Sequence, residues 1–201
     1  VQWSDVSGIS FIVGVAVFFF LILYVQSKRQ NRLREQLEVL AREMGWSEVR
    51  SSIFFGLRVE GTWNGYQAGI RRLPPQKGAP ERIVTNIRVQ TPARIIITRR
   101  QRGVFAGRPL TLFGPPLVEF PLYSQFWIRA DEITLADRLM HSSAAATLDR
   151  ILQSRYDFLR MAGDQLLVQR ATTRSADEAA RLAREELELL RAVIDALALR
   201  P

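Results

Sequence analysis

Residues 53–70 read IFFGLRVEGTWNGYQAGI, and this stretch sets the fold class. Ile53, Phe55, Leu57 and Val59 recur every second residue, the period that lays side chains on one face of a strand. Asn64-Gly65 then supplies two residues that tolerate positive φ, as a tight two-residue hairpin turn requires. The chain continues as YQAGIRRL, a second strand folding back on the first. An antiparallel hairpin is the nucleus from which the rest is read.

Downstream, LPPQKGAPE is a loop, and RIVTNIRVQ and ARIIITRRQ are two further strands joined at Thr91-Pro92. QFWIRAD is a fifth strand. DEITLADRLMHSSAAATLDRILQSR then changes to helical spacing, with Leu135, Leu139, Leu148 and Leu152 on related faces. YDFLRMAGDQLLVQRA is a short hairpin turning at Gly163-Asp164. Ser175 and Glu178 form a capping box that opens a last helix to about Leu199. Leu182, Leu190, Val193, Ile194 and Leu197 face inward along it. The expected fold is α+β: an antiparallel meander packed with two helices of the C-terminal half and a short β-hairpin.

Upstream the character changes. No residue between Asp5 and Lys28 is charged, and the run is rich in Val, Ile and Phe. A helix of that length spans roughly 33 Å, against about 30 Å for a hydrocarbon core. Lys28, Arg29, Arg32 and Arg34 follow it and no Lys or Arg precedes it. The expectation is a transmembrane helix over residues 1–27, N-terminus outside, in a bacterial inner membrane, with the remainder in the cytoplasm. Ser7, Ser10 and Gly14 share one side and, with Phe18, form its candidate packing face. Residues 28–45 are expected to continue as a basic stalk helix, striped by Leu33, Leu37, Leu40 and Met44 and stopped at Gly45. Residues 46–201 form the α+β domain.

Several chemistries are absent from the sequence. There is no cysteine and a single histidine, His141. Thiolate metal sites, disulfides and cysteine nucleophiles are thereby excluded. Neither GxxxxGK[ST] nor GxGxxG occurs. Ser142 and Ser143 lie off the His141 face of a helix, and Glu185, Glu186 and Glu188 alternate with arginines as on a solvated, salt-bridged face. No catalytic residue, cofactor or metal is expected.

Two segments remain that point to binding. The chain carries a net charge of +8, and residues 71–108 hold ten basic residues against Glu81 alone. Arg71, Arg72, Arg82, Arg99, Arg100 and Arg102 are the candidate basic patch, suited to anionic lipid headgroups or an acidic protein. Nucleic acid is not expected, because no aromatic residues are interleaved with these arginines as stacking platforms. The second segment is residues 103–125, proline-rich yet apolar. Leu110, Leu112, Phe113, Leu117, Phe120 and Tyr123 either dock a partner or close the end of their own sheet.

The stretches GTWNGYQAGI, FWIRADEITLADRLM and YDFLRMAGDQLLVQR together resemble uncharacterised bacterial single-pass proteins with a small cytoplasmic α+β domain. That resemblance implies a fold and no activity. The functional expectation is a non-catalytic accessory subunit contacting other membrane-protein subunits of a larger assembly, such as a photosynthetic or respiratory complex. The alternative is a tethered module that binds anionic lipid or an acidic partner.

Overall fold

The computed structural model describes residues 15, 17–21, 24, 25, 27, 28, 34, 35, 37–46, 48–52, 56–73, 75, 80–99, 116–118, 120, 123–153, 157–171 and 176–199. The described elements are helix α1 (residues 37–43), strands β1 (Glu48–Ser52), β2 (Gly56–Trp63), β3 (Tyr66–Leu73), β4 (Arg82–Arg88), β5 (Ile95–Arg99), β6 (Leu117–Val118) and β7 (Phe126–Ala130), helices α2 (Ile133–Met140) and α3 (Ala144–Ile151), strands β8 (Phe158–Ala162) and β9 (Gln165–Ala171), and helix α4 (Ala176–Leu197). The fold is α+β.

The strands form one nine-stranded sheet in the order β1-β2-β3-β4-β9-β8-β5-β7-β6. Every neighbouring pair is antiparallel. The β2–β3 turn is the one its sequence demands: Asn64 and Gly65 have φ of 48° and 85°, both positive as a I′ turn needs. The β8–β9 turn places Gly163 at φ 62°. This second hairpin slots between β4 and β5, so the sheet is not a simple meander. Thr91 fixes the insertion, its N–H and hydroxyl both donating to the Gly163 carbonyl, at 3.0 and 2.7 Å.

Among the described residues, helices cover one face of the sheet. α4 packs on β4 and β9, α2 packs on β7, and α3 leans on both helices. The inward residues of successive strands, among them Val59, Ile70, Ile87, Val168, Leu159, Ile97 and Ile128, are all buried beneath them. Leu187, Leu190, Val193 and Ile194 supply the matching stripe of α4.

α1 belongs to this core: Leu37, Leu40 and Ala41 are buried in it, and Arg184 of α4 donates to Glu43 at 2.5 Å. Its end is a Schellman motif, with Gly45 at φ 67°, Gly45 N–H bonded to the Arg42 carbonyl and Trp46 N–H to that of Ala41. Trp46 is buried, and its indole N–H donates to the Thr62 carbonyl at 3.0 Å. The indole lies over Gly61, where a Cβ would overlap it.

Three expectations are corrected. The single helix anticipated over residues 131–155 is two, because the Ser142 hydroxyl donates to the Leu139 carbonyl and accepts from the Ala144 N–H, breaking the helical ladder between them. Two short strands at the sheet edges, β1 and β6, were not anticipated.

The third correction concerns the membrane. Among the described residues no helix is long and apolar enough to cross one. The expected span, its direction and the inner-membrane localisation built on it are not supported. Ser7, Ser10, Gly14, Arg29 and Arg32 lie outside the described residues. Phe18, Phe19 and Phe20 are 68%, 62% and 74% exposed, so the folded domain does not cover them. Arg34 is engaged locally, with Glu38 at 2.7 Å one helical turn away.

Candidate functional site

Alternation along the strands divides the basic segment between two environments. Arg72 and Arg99 turn toward the helix-covered side. Arg72 pairs with the buried Glu81. Arg99 donates to the Leu152 carbonyl at 2.9 Å, at the C-terminal end of α3 where free carbonyls favour a cation. Both are structural. Arg71 and Arg82 turn to the opposite, helix-free face, while Arg100 and Arg102 lie outside the described residues.

The register brings further arginines to that face. Arg58 on β2 stands opposite Arg71. Arg88 follows Arg82 on β4. Arg160 on β8 and Arg129 on β7 flank Ile96 of β5 in one transverse row. Of the described side chains at these strand positions, Glu60 is the one carboxylate, and it pairs with Arg58. In the β1–β2 register Glu48 and Arg50 are the partners of Glu60 and Arg58.

The arginines differ in how they are satisfied. Arg82 and Arg129 are engaged. Arg88 is exposed and donates to the Gln67 side chain at 3.2 Å, a neutral partner. Arg160 is exposed and Arg71 half-buried, and neither forms an ion pair with a carboxylate among the described residues. Ile96 stands between Arg160 and Arg129, and Phe158, Thr98 and Trp127 form the next row beside them. Sequence reading missed this interleaving because the residues come from three separate strands. The signal available was the period of two, which puts Phe158 with Arg160 and Trp127 with Arg129.

The segment expected to dock a partner is divided too. Phe120 and Tyr123 pack against the chain's own core, as does Val118 of β6. Leu117 lies in β6. Leu110, Leu112 and Phe113 lie outside the described residues.

A second polar cluster lies under the helices. Glu186 on α4 is fully buried, accepting from the Thr85 hydroxyl and from Arg170 Nε. Arg170 also donates to the carbonyls of Ala171 at 3.2 Å and Ala179 at 3.4 Å. The neighbouring Asp157 accepts from the backbone N–H groups of Ala171 and Gln153 at 3.0 and 3.2 Å. Burial pushes the Glu186 carboxyl above its ordinary range, and the Arg170 charge with the two hydrogen bonds acts against that. The sequence reading placed Glu186 on a solvated face, and this is corrected. Its spacing from Ala183 and Leu190 puts it on the inward stripe. Glu185 does pair outward, with Arg181 at 2.7 Å.

His141 is exposed, with Nδ1 2.9 Å from the Asp137 carbonyl. Asp131, just before α2, meets Arg94 at 2.8 Å, and that hydrogen bond holds its carboxyl below the usual range. No group of side chains suited to a metal occurs among the described residues.

No family model matches the chain, and no curated protein is significantly similar to it. Among solved structures, the crystal structure of the mycobacterial trehalose monomycolate transport factor A, TtfA, is similar with a TM-score of 0.59. The two are 12% identical, and the match covers 84% of this chain and 98% of that one. At that identity the likeness shows the fold alone.

Proposed function

We propose that this chain is a non-catalytic accessory factor that bridges or stabilises protein partners of a larger bacterial assembly, bound through the helix-free face of its sheet. The observation that carries the reading is the concentration of Arg58, Arg71, Arg82, Arg88, Arg129 and Arg160 on that face against Glu60. Arginine and aromatic side chains set side by side are the composition of protein-binding centres. The uncovered Phe18, Phe19 and Phe20 supply a second contact surface of apolar character. A solved structure that shares this fold is that of a transport factor. By fold-level analogy alone, that favours a factor serving another machine over an enzyme.

The test is capture of the tagged chain from native cells in mild detergent, followed by size-exclusion chromatography and mass spectrometry. A protein co-migrating at a fixed ratio is the expected result. Elution of the chain by itself, at its own mass, overturns the reading.

A further inference from the structure

Within this reading, the arginines of the helix-free face are not equivalent. Elsewhere in the fold the chain pairs its arginines with its own carboxylates: Arg94 with Asp131, Arg99 with Asp149, Arg170 with Glu186, Arg184 with Glu43 and Arg191 with Asp195. On the helix-free face Arg58 is paired and Arg82 and Arg129 are engaged. Arg71, Arg88 and Arg160 meet no carboxylate among the described residues. Arg42 and Arg138 share that condition, but each stands singly and exposed on its own helix.

From the pairing register and ordinary strand spacing, Arg88 and Arg160 are about 12 Å apart, Arg71 and Arg88 about 14 Å, and Arg71 and Arg160 about 16 Å. Asn86 and Leu167, register partners and both half-buried, lie inside this triangle. We infer that the triangle Arg71–Arg88–Arg160 is the recognition centre for an acidic segment of a partner protein. Carboxylates of that segment meet the guanidinium forks, and an apolar side chain between them rests on Leu167.

The charge complement is what selects the occupant. Three guanidinium groups with no carboxylate beside them among the described residues want anions at fixed points, and a planar fork binds a carboxylate with two parallel hydrogen bonds. An extended segment of roughly five residues spans one side of the triangle at about 3.3 Å per residue. A planar bilayer fits less well, because strands in a sheet rotate by about 20° from one to the next. The apolar and amide centre suits side chains better than it suits a sugar–phosphate chain.

The test uses the full chain and a fluorescent peptide alternating Glu and Leu, read by anisotropy. Phosphatidylglycerol vesicles and a single-stranded oligonucleotide serve as competing probes. The expected result is saturable peptide binding that falls at least about tenfold in Arg88→Glu/Arg160→Glu. Arg42→Glu/Arg138→Glu, the same charge change on the helices, should bind as the parent does. Equal loss in both variants would reduce the effect to net charge and overturn the site. Binding of vesicles or oligonucleotide in place of the peptide would overturn the occupant. Melting curves of both variants separate lost binding from lost folding. If the tagged chain still captures its partner with Arg88 and Arg160 reversed, this site fails while the accessory reading stands. If the parent captures nothing, the accessory reading itself fails.

Discussion

Arg170 and Arg160 lie on neighbouring strands of one hairpin, and the sheet sends them to opposite fates. Arg170 faces the helices, where it is buried and held by Glu186 and two carbonyls. Arg160 faces away, exposed, with no carboxylate beside it among the described residues. A cation can enter a core only with its partners supplied, since an unpaired buried charge costs several kcal/mol. No such demand applies to an exposed side chain such as Arg160. The pairing under the helices therefore reports on folding, and the lack of a carboxylate beside Arg71, Arg88 and Arg160 among the described residues leaves charge available for binding. The comparison can be broken at either end.

The largest effect belongs to the buried pair. Glu186→Ala would strand Arg170 and the Thr85 hydroxyl beneath α4, and should cost about 3–5 kcal/mol of stability. A urea midpoint is the measurement. A loss under about 1 kcal/mol would mean that water reaches the pair and that this face is not closed. Glu186→Gln refines the point through pH. With its carboxyl raised by burial, folded Glu186 holds its proton more tightly than in the unfolded chain. Its contribution is full below the ordinary Glu value of 4.5 and falls as pH rises through the folded value. The glutamine variant lacks that slope, so it should gain on the parent as pH rises above 4.5. The reverse trend would show that the Arg170 charge outweighs the cost of burial.

The next effect lies at the β2 edge of the same face. Gly61→Ala would place a methyl group inside the Trp46 indole and push it off the strand. A loss of about 1–3 kcal/mol is expected, as for other overpacked cores, with a red shift of tryptophan emission as Trp46 meets water. Unchanged stability would mean that α1 is docked by Leu37 and Leu40 without the help of Trp46.

These sites show which parts of the fold were legible in sequence. Period two and Asn64-Gly65 identify the β2–β3 hairpin because that information is local. The same period, applied to residues 71–108, assigns Arg71 and Arg72 to opposite faces, so a run of arginines is not one patch. What could not be read is which distant strands lie alongside. Arg160 reaches the basic face only because the β8–β9 hairpin inserts between β4 and β5, a long-range pairing with no local signal. Glu186 was legible in spacing and was overridden by its charge, since a carboxylate reads as solvated until a buried arginine is found opposite. The break between α2 and α3 rests on one serine hydroxyl, below what apolar periodicity resolves.

The smallest effect is the sharpest probe of the helix-free face. Arg58 and Arg71 stand directly opposite each other, and like charges so placed on neighbouring strands are destabilising. Arg71→Thr removes that repulsion and installs a residue well suited to strands. It also removes an alkyl stem covering part of the sheet, which works the other way. A net gain of about 0.2–1 kcal/mol is expected, together with weaker binding of the acidic peptide. Salt separates the causes. A gain that comes from lost repulsion shrinks as ionic strength rises toward 1 M, where the screening length falls to about 3 Å, whereas a gain from strand propensity does not. If Arg71→Thr is neutral at every salt concentration, Glu60 already neutralises Arg58 well enough to remove the repulsion. The face would then carry its arginines at no cost.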